Sequence, residues 1–361
     1  MNILILTGKF GMGHYAAANA LARNIENNIP GAKITTVDLF EYAMPEYAPL
    51  VYKSFELLVS KISGVYNMFY KLGEKGGPDP ALFLPEHFLP KIQALLCQYQ
   101  PHVIVSTLPI SSQVISMYKK STGSTVPLVT CITDISTHPE WINPGTNYYL
   151  VASNTVRNTL ISTGIEPQQI LVYGIPVRPS FLNRCSYCCS TARHLLIMGG
   201  GLGLLPKESS FYERLNSLPG IKTTIITGNN QRLYEKLYGL YENIEVVGYV
   251  DCVAEYMHKA DLILSKPGGI TLFEAIYSRL PFLCFPPFLQ QEIHNSQFIQ
   301  AQGIGCVLQK NQDILTEVQR LIYNDQALEF MRENMALLYD SFDCTGFHRI
   351  LLKLCAPALC A

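Results

Sequence analysis

The stretch Ser265-Lys266-Pro267-Gly268-Gly269-Ile270-Thr271-Leu272-Phe273-Glu274-Ala275 decides the fold, because it reads as a turn and a helix start directly after an apolar strand, Leu262–Leu264. The two glycines let the backbone approach a ligand closely. The helix start, predicted with Thr271 near the N-cap, offers N–H groups to an anion. Glu274 lies one turn further and can accept a hydrogen bond from a sugar hydroxyl. The stretch therefore predicts a site for a nucleoside diphosphate.

The position of this turn predicts the domain organisation. A single nucleotide-binding Rossmann domain usually carries its phosphate turn after the first strand, whereas this one lies late in the chain. One series of short apolar strands runs from Ile3 to Tyr173, and a second begins at His194. The proline-containing segment 174–179 is an extended connector between them. We expect an α/β protein of the GT-B type, with two Rossmann-like doubly wound domains facing a cleft: residues 1–178, residues 179–339, and a C-terminal helix in 340–361 that returns to the first domain.

The composition excludes several classes of protein. With 361 residues and 48% hydrophobic residues the chain can form two cores, and its net charge of -1 argues against nucleic-acid binding. The N-terminus has no basic region before its short apolar strand, and no apolar run approaches the ~20 residues of a membrane-spanning helix. The eleven cysteines are expected to be reduced. The sequence predicts a cytoplasmic protein that binds peripherally to the inner face of the cell membrane.

Residues 39–95 differ from the rest of the first domain. The segment is rich in Tyr, Phe, Leu and Met, with lysines between them. Amphipathic helices on an anionic membrane surface would have this composition. Ordinary helices packed on the first sheet would have it too, and the pattern does not separate these interpretations.

Two segments of the first domain carry candidate catalytic residues. The glycine-rich turn 8–13 follows the first strand, and it places His14 near a helix N-terminus, where the neutral imidazole that a base requires is favoured. Asp134, followed by His138 and Trp141, comes after another strand. Asp134 could instead cap its local turn, and Trp141 could be a core residue.

Two further segments of the second domain point to the donor. The loop 199–203 contains four glycines and could approach a pyrophosphate. The polar block 290–295 follows the strand Pro281–Phe285, although it could also be a simple helix start with Glu292 favoured by the helix dipole. The chain has no Asp-x-Asp pair to hold a divalent ion, which predicts that backbone dipoles with Arg178 or Lys266 stabilise the leaving diphosphate.

These blocks resemble the family 28 glycosyltransferases that act on diacylglycerol, in plants and in bacteria. The similarity runs through the following segments: 10–14, 133–141, 174–179, 198–201, 228–230, 248–250, 266–275 and 291–295. The resemblance implies the GT-B fold and an inverting transfer from a UDP-sugar, UDP-glucose or UDP-galactose, to a lipid hydroxyl such as that of diacylglycerol. It implies neither a metal ion nor a cofactor beyond the donor.

The resemblance also implies roles for individual residues. His14 is expected to be the catalytic base, with Asp134 as the second candidate. Glu274 would bind the ribose, and Gln291 and Glu292 the sugar or ribose. The other expected donor-binding residues are Gly13, Arg178, Gly200, Gly201, Lys266, Gly268, Gly269, Ile270 and Asn295.

Other functions stay open at this point. The acceptor could be a peptidoglycan precursor, although the first turn lacks the Gly-Gly-Thr-Gly-Gly-His pattern of that related transferase. It could also be a non-lipid metabolite. A catalytically silent UDP-sugar sensor on the same fold is the third alternative.

Overall fold

The chain forms two α/β units in a computed structural model that describes residues 1–10, 13–61, 64, 67–68, 88–182, 192–201 and 203–355. The first unit contains Met1–Arg178 together with the residues from Ser341 onward, and the second contains Pro179–Asp340. The Cys185-x-x-Cys188-Cys189 cluster, which the sequence favours as a linker segment over a metal site, lies outside the described residues.

The first unit is built on a parallel sheet in the order β2-β1-β3-β4-β5-β6. Its strands are β1 (Asn2–Thr7), β2 (Lys33–Asp38), β3 (Val103–Ser106), β4 (Leu128–Cys131), β5 (Tyr148–Val151) and β6 (Ile170–Val172). The helices are α1 (Gly13–Asn28), α2 (Leu39–Ala43), α3 (Ala48–Lys61), α4 (Phe88–Tyr99), α5 (Pro109–Thr122) and α6 (Asn154–Ser162).

Alternation along β1 divides the core of this unit between the two faces of the sheet. Ile3 and Ile5 pack with α1 on one face, while Leu4 and Leu6 pack with α2, α4 and α5 on the other. A strand buried on both faces needs apolar residues at every position, which is why the parallel strands read as continuous hydrophobic runs in the sequence.

The second unit has its own parallel sheet, in the order β12-β11-β10-β7-β8-β9. Its strands are β7 (Arg193–Met198), β8 (Ile221–Ile226), β9 (Ile244–Val247), β10 (Leu262–Ser265), β11 (Phe282–Cys284) and β12 (Gly305–Val307). The helices are α7 (Ser209–Asn216), α8 (Gln231–Leu237), α9 (Val253–Lys259), α10 (Gly269–Tyr277), α11 (Gln290–Ala301), α12 (Ile314–Ile322) and α13 (Asp325–Asp340).

The last described helix, α14 (Gly346–Cys355), belongs to the first unit. Its Phe347 and Leu351 are fully buried in the core that contains Ile3 and Val105, and the ring of Phe347 lies 5.5 Å from that of Tyr173. The sequence predicted a single C-terminal helix in residues 340–361. Instead α13 ends at Asp340 and α14 begins at Gly346, because the Asp343 carboxylate accepts the Gly346 N–H at 2.8 Å.

Each sheet has one place where the strand order reverses, and ligands of doubly wound folds bind there, beyond the carboxyl ends of the strands. In the first unit this place lies between β1 and β3, and in the second between β7 and β10. The segments after these four strands carry His14, at the start of α1, and Thr107, the glycine loop 199–203 and the turn 266–268.

Within the described ranges, no helix is both long and apolar enough to cross a bilayer.

Candidate active site

His14 is held by oxygen atoms from two neighbouring strand ends. It is the second residue of α1, and its Nδ1 lies 2.8 Å from the Thr107 carbonyl oxygen and 2.8 Å from Thr133 Oγ1. A carbonyl oxygen can only accept, so Nδ1 carries the proton and donates it. In the neutral ring Nε2 therefore keeps its lone pair, which is what a general base needs.

The surroundings of His14 keep the imidazole neutral. Burial of the ring lowers the pKa of His14 below its ordinary value of 6.5, because desolvation disfavours the charged form. The negative charge of Asp134 and the hydrogen bond to Thr107 act in the opposite direction. Burial has the larger effect, so the imidazole is neutral near pH 7.

Asp134 is buried close to His14 and bonded to the indole of the chain's one tryptophan. Trp141 Nε1–H donates to Asp134 Oδ2 at 2.9 Å, and the indole and imidazole ring centroids lie 6.1 Å apart. Trp141 is fully buried, as a core residue would be, and its indole N–H also fixes the Asp134 carboxylate. Asp134 is placed to stabilise a positive charge on His14 through space.

A second histidine and carboxylate follow in the same loop. The His138 ring Nδ1 lies 3.3 Å from Glu140 Oε1, at the start of the short 3-10 turn Pro139–Trp141. Burial raises the pKa of Glu140, which His138 partly offsets and Asp134 reinforces. These groups form one electrostatically linked cluster with Asp134.

Threonine side chains tie the strand ends together beneath His14. Thr107 Oγ1 donates to Thr7 Oγ1 at 2.9 Å and lies 3.0 Å from the backbone oxygen of His14. Thr107 was absent from the sequence-predicted site. The only signal for it was a polar residue after an apolar strand, and its contact with the imidazole comes from a main-chain carbonyl that residue type does not reveal.

The turn 266–268 of the second unit leads into α10. Gly268 is the N-cap residue, three residues before the predicted Thr271. Gly268 has φ -69° and ψ 139° and makes no side-chain cap bond. The N–H groups of the first turn, from Gly269 and Ile270 onward, therefore have no partner from the cap and remain available to an anion.

Lys266 lies beside this helix start, over an aromatic ring. Its Nζ is 3.9 Å from the centroid of Phe288 and 3.8 Å from Glu292 Oε1. Burial lowers the pKa of Lys266, and Glu292 opposes that shift. Phe288 was not predicted from the sequence, because a ring directly after two prolines carries no recognisable signal of a cation contact.

Glu292 and Asn295 support the turn from α11. Glu292 Oε2 accepts the N–H groups of Phe288 and Leu289 at 3.2 and 3.4 Å, so this carboxylate caps its own helix, as the simpler interpretation of the polar block expected. Asn295 Nδ2 donates to the Pro267 carbonyl at 2.7 Å. Among the described residues, the buried Asn295 Oδ1 and Ser265 Oγ have no hydrogen-bond partner.

In the glycine loop after β7, Gly203 is tightly packed, whereas Gly200 and Gly201 have open space beside them. Gly203, with φ +57°, leaves no room for a side chain, because a Cβ there would overlap the Thr227 carbonyl oxygen. Asn230 Nδ2 also donates to the Gly203 carbonyl at 2.9 Å. At Gly200 and Gly201 a Cβ would meet nothing within 4 Å, so the backbone there is accessible to a ligand.

The remaining predicted residues divide between the two units. In the first unit, Gly13 begins α1, and the partly exposed Arg178 is its last residue before the connection to the second unit. In the second unit, Glu274 lies in the second turn of α10 and Gln291 in the first turn of α11, both partly exposed. Across the parts of the chain that the structure describes, no group of three or more His, Cys, Asp or Glu side chains could hold a metal ion.

Comparison with known families matches both halves of the chain. The family model described as monogalactosyldiacylglycerol (MGDG) synthase matches residues 14–177. The model of the glycosyltransferase family 28 C-terminal domain matches residues 195–338. The predicted residues His14, Asp134, Lys266, Glu274 and Glu292 all fall inside these ranges.

Curated relatives align over most of the chain. A processive diacylglycerol beta-glucosyltransferase of Bacillus cereus (strain AH187) is 28% identical over 353 residues, covering 93% of this chain and 89% of the relative. The protein of the same name from Bacillus thuringiensis (strain Al Hakam) has the same identity and coverage.

Solved structures confirm the fold. MurG of Acinetobacter baumannii has a TM-score of 0.61 at 13% identity, covering 98% of this chain and 99% of that one. The glycosyltransferase SnogD from Streptomyces nogalater has a TM-score of 0.63 at 15% identity, with 99% of each chain covered. A UDP-GlcNAc 2-epimerase from Neisseria meningitidis, bound to UDP-GlcNAc, has a TM-score of 0.62 at 15% identity, covering 98% and 100%.

The fold alone does not choose an activity, because these neighbours include both transferases and an epimerase. The GT-B fold is confirmed, and the two family models and the end-to-end relatives agree on the type of enzyme. The chain is a glycosyltransferase and belongs to family 28.

Proposed function

We propose that the enzyme transfers a hexose from UDP-glucose or UDP-galactose to the hydroxyl of a diacylglycerol-type lipid, with inversion and without a metal ion. The hydrogen bond of His14 carries this proposal. Its Nδ1–H donates to the Thr107 carbonyl, so Nε2 keeps its lone pair and can act as a neutral base. The residue follows β1, beside the place where the strand order of the first sheet reverses. The curated relatives, named as diacylglycerol glucosyltransferases, support the lipid acceptor.

The proposed reaction is a single displacement. The lipid hydroxyl oxygen attacks the anomeric carbon while the bond from that carbon to the UDP oxygen breaks, which inverts the configuration and gives a β-glycoside. The hydroxyl proton passes to His14 Nε2, and Asp134 stabilises the imidazolium that forms. UDP leaves with the electron pair of the broken bond.

The second unit supplies the groups that would stabilise the departing UDP. The open first turn of α10 and the ammonium of Lys266 both favour an anion after β10. The accessible backbone at Gly200 and Gly201 follows the adjacent strand β7. Glu274 is proposed to bind the ribose and Gln291 the sugar or ribose, with Glu292 holding Lys266 and the start of α11 in place.

The direct test is UDP release from a panel of UDP-sugars, with and without diacylglycerol in mixed micelles. We expect release that depends on the lipid, with one hexose preferred, and a β-linked glycolipid as the product. Addition of EDTA should leave the rate unchanged. Lipid-independent release, or an α-linked product, would contradict the proposal. Donor binding with no transfer to any lipid would favour a non-lipid acceptor or a sensor.

We propose further that the enzyme works at the inner face of the cytoplasmic membrane and contacts anionic lipid through part of residues 39–95. Tyr47, Leu50 and Leu57 are 62%, 63% and 43% exposed, and their spacing places them on one face of α3 and the turn before it. Lys53 is exposed between them. Apolar side chains with an interleaved cation suit an anionic bilayer surface.

Leu50→Asp tests this surface, because it places a charge where an apolar side chain would enter the lipid. We expect on the order of tenfold weaker sedimentation with phosphatidylglycerol vesicles. Leu240→Asp is the matched control, since Leu240 is 64% exposed on the second unit. Phe55 is a poor test site, because its ring packs against Phe10 at 5.2 Å. Equal vesicle binding by the Leu50 variant and the wild type would show that α3 does not contact the membrane.

A further inference from the structure

Two oxygen atoms compete for one imidazole nitrogen in the first unit. His14 Nδ1 lies 2.8 Å from the Thr107 carbonyl oxygen and 2.8 Å from Thr133 Oγ1. Thr133 is buried and follows β4, whereas Thr107 follows β3, so the ring is held from two separate strand ends. Such a double contact at a catalytic nitrogen restricts both the orientation of the ring and its protonation.

The two contacts are not chemically equivalent. The Thr107 carbonyl can only accept, whereas the Thr133 hydroxyl can accept from Nδ1–H or donate to a bare Nδ1. If Thr133 donated, the Thr107 carbonyl would face a lone pair at 2.8 Å, and two acceptors would repel each other. The arrangement in which both oxygens share the Nδ1 proton avoids this repulsion.

We propose that Thr133 is a positioning residue for His14: its hydroxyl oxygen shares the Nδ1 proton with the Thr107 carbonyl and so keeps the Nε2 lone pair available to the acceptor hydroxyl. This role rests on the proposed function of His14 as the base. After proton transfer the same two oxygens accept from a charged donor, and hydrogen bonds of that kind are stronger than neutral ones. Thr133 therefore stabilises the imidazolium more than the neutral ring.

The sign of a pH shift separates the two directions of this hydrogen bond. An oxygen that accepts from Nδ1–H favours the charged ring, so removing it lowers the pKa of His14. A hydroxyl that donates to Nδ1 favours the neutral ring, so removing it would raise that pKa. The charge that acts directly on His14 is Asp134, with Glu140 and His138 linked to it, and all three stay in place in the variants below.

Thr133→Val removes the hydroxyl while keeping the branched shape, and Thr133→Ser restores the oxygen. We expect kcat of the valine variant to fall about tenfold, the size expected for one lost hydrogen bond, with KM nearly unchanged. Its acidic pH limb should move to lower pH. The serine variant should retain kcat within about threefold of wild type, which a purely structural effect of the methyl group would not produce.

A measurement without substrate tests the same inference when no transfer is observed. In the full chain labelled with ¹⁵N-histidine, long-range proton–nitrogen correlation reports the tautomer of His14, whose signal is identified by its loss in His14→Gln. We expect the Nδ1–H tautomer in wild type and in Thr133→Ser, and a lower His14 pKa in Thr133→Val. An Nε2–H tautomer in the wild type, or an unchanged or raised pKa in the valine variant, would overturn the proposal.

The tautomer and the pKa shift of His14 can therefore be tested independently of the proposed function. If lipid glycosylation fails but the tautomer and the pKa shift are found, Thr133 still positions His14 and only the reaction is wrong. If the valine variant does not fold, the wild-type tautomer and the serine variant decide the outcome.

Discussion

His14→Ala is expected to lower kcat for lipid glycosylation by roughly 10²–10⁴-fold, the range in which general bases contribute. The substitution removes Nε2, the nitrogen that the Thr107 contact leaves unprotonated. Donor binding should change little, because the residues proposed to bind UDP lie mainly in the second unit. The measurement is kcat from acceptor-dependent UDP release together with the dissociation constant of UDP.

The pH dependence follows from the lowered pKa of His14. Because burial disfavours the imidazolium, the ring stays neutral to a pH below 6.5, and the acidic limb of kcat/KM should lie below that value. The same shift affects folding. The unfolded chain binds the proton more readily than the native protein, so stability is lost as the pH falls from about 6.5 through the native pKa.

The matched control is His102→Ala, which removes an exposed histidine from the opposite end of the same sheet. We expect it to keep kcat within about twofold of wild type, since the one hydrogen bond that it removes, from the Asn2 N–H to His102 Nδ1, is exposed to solvent. If His14→Ala retained a similar kcat, or if the acidic limb lay well above pH 6.5, His14 would not be the base, and Asp134 would become the candidate.

Gly201→Ala should weaken UDP binding by on the order of tenfold or more while leaving the protein folded. The added methyl group meets nothing within 4 Å in the unliganded unit, and the backbone of Gly201 is outside the left-handed region. Any loss of affinity would therefore come from the ligand, whose phosphates would have to occupy the space of the methyl group. Calorimetric titration with UDP, paired with a thermal unfolding curve, measures both effects.

Gly203→Ala, two residues away, should give the opposite result. Its φ of +57° and the overlap of a Cβ with the Thr227 carbonyl oxygen predict a loss of roughly 2–4 kcal/mol in the free energy of unfolding. The pair separates binding from folding within one loop. Unchanged UDP affinity in Gly201→Ala would remove this loop from the donor site, and unchanged stability in Gly203→Ala would mean that the loop relaxes.

The parallel strands could be predicted from the sequence because burial on both faces requires unbroken runs of β-branched and apolar residues. β10 was predicted as Leu262–Leu264, one residue short of its observed end at Ser265, and β1 was predicted to begin at Ile3, one residue after its observed start. β12 was missed, since Gly305–Val307 is only three residues long and begins with glycine. This strand could not be recognised in the sequence mainly because it is so short.

Helix starts were harder to predict, because they depend on backbone geometry and on single hydrogen bonds. At α10 a glycine takes the N-cap position in place of a Ser, Thr, Asp or Asn, so side-chain preference placed the start too late. At α14 the Asp343 carboxylate starts a new helix. Such contacts form only after the chain has folded around them.

The candidate site shows a similar division. Residues with distinctive chemistry after strand ends, such as His14, Asp134 and Lys266, could be selected from the sequence. The contacts that define their state could not: the Thr107 carbonyl belongs to the main chain, and the Phe288 ring approaches Lys266 from a separate loop. Residue type predicts which groups are present, while their protonation depends on neighbours far away in sequence.

The placement of α14 in the first unit has a consequence for how the protein is made. Residues 179–340 leave the ribosome as one continuous segment, before the helix that contributes Phe347 and Leu351 to the core of the first unit. The second unit can therefore complete its fold while the nascent first unit still lacks part of its core. Completion of the first unit requires synthesis through α14, so a chain truncated before that helix would carry His14 in a unit whose core is unfinished.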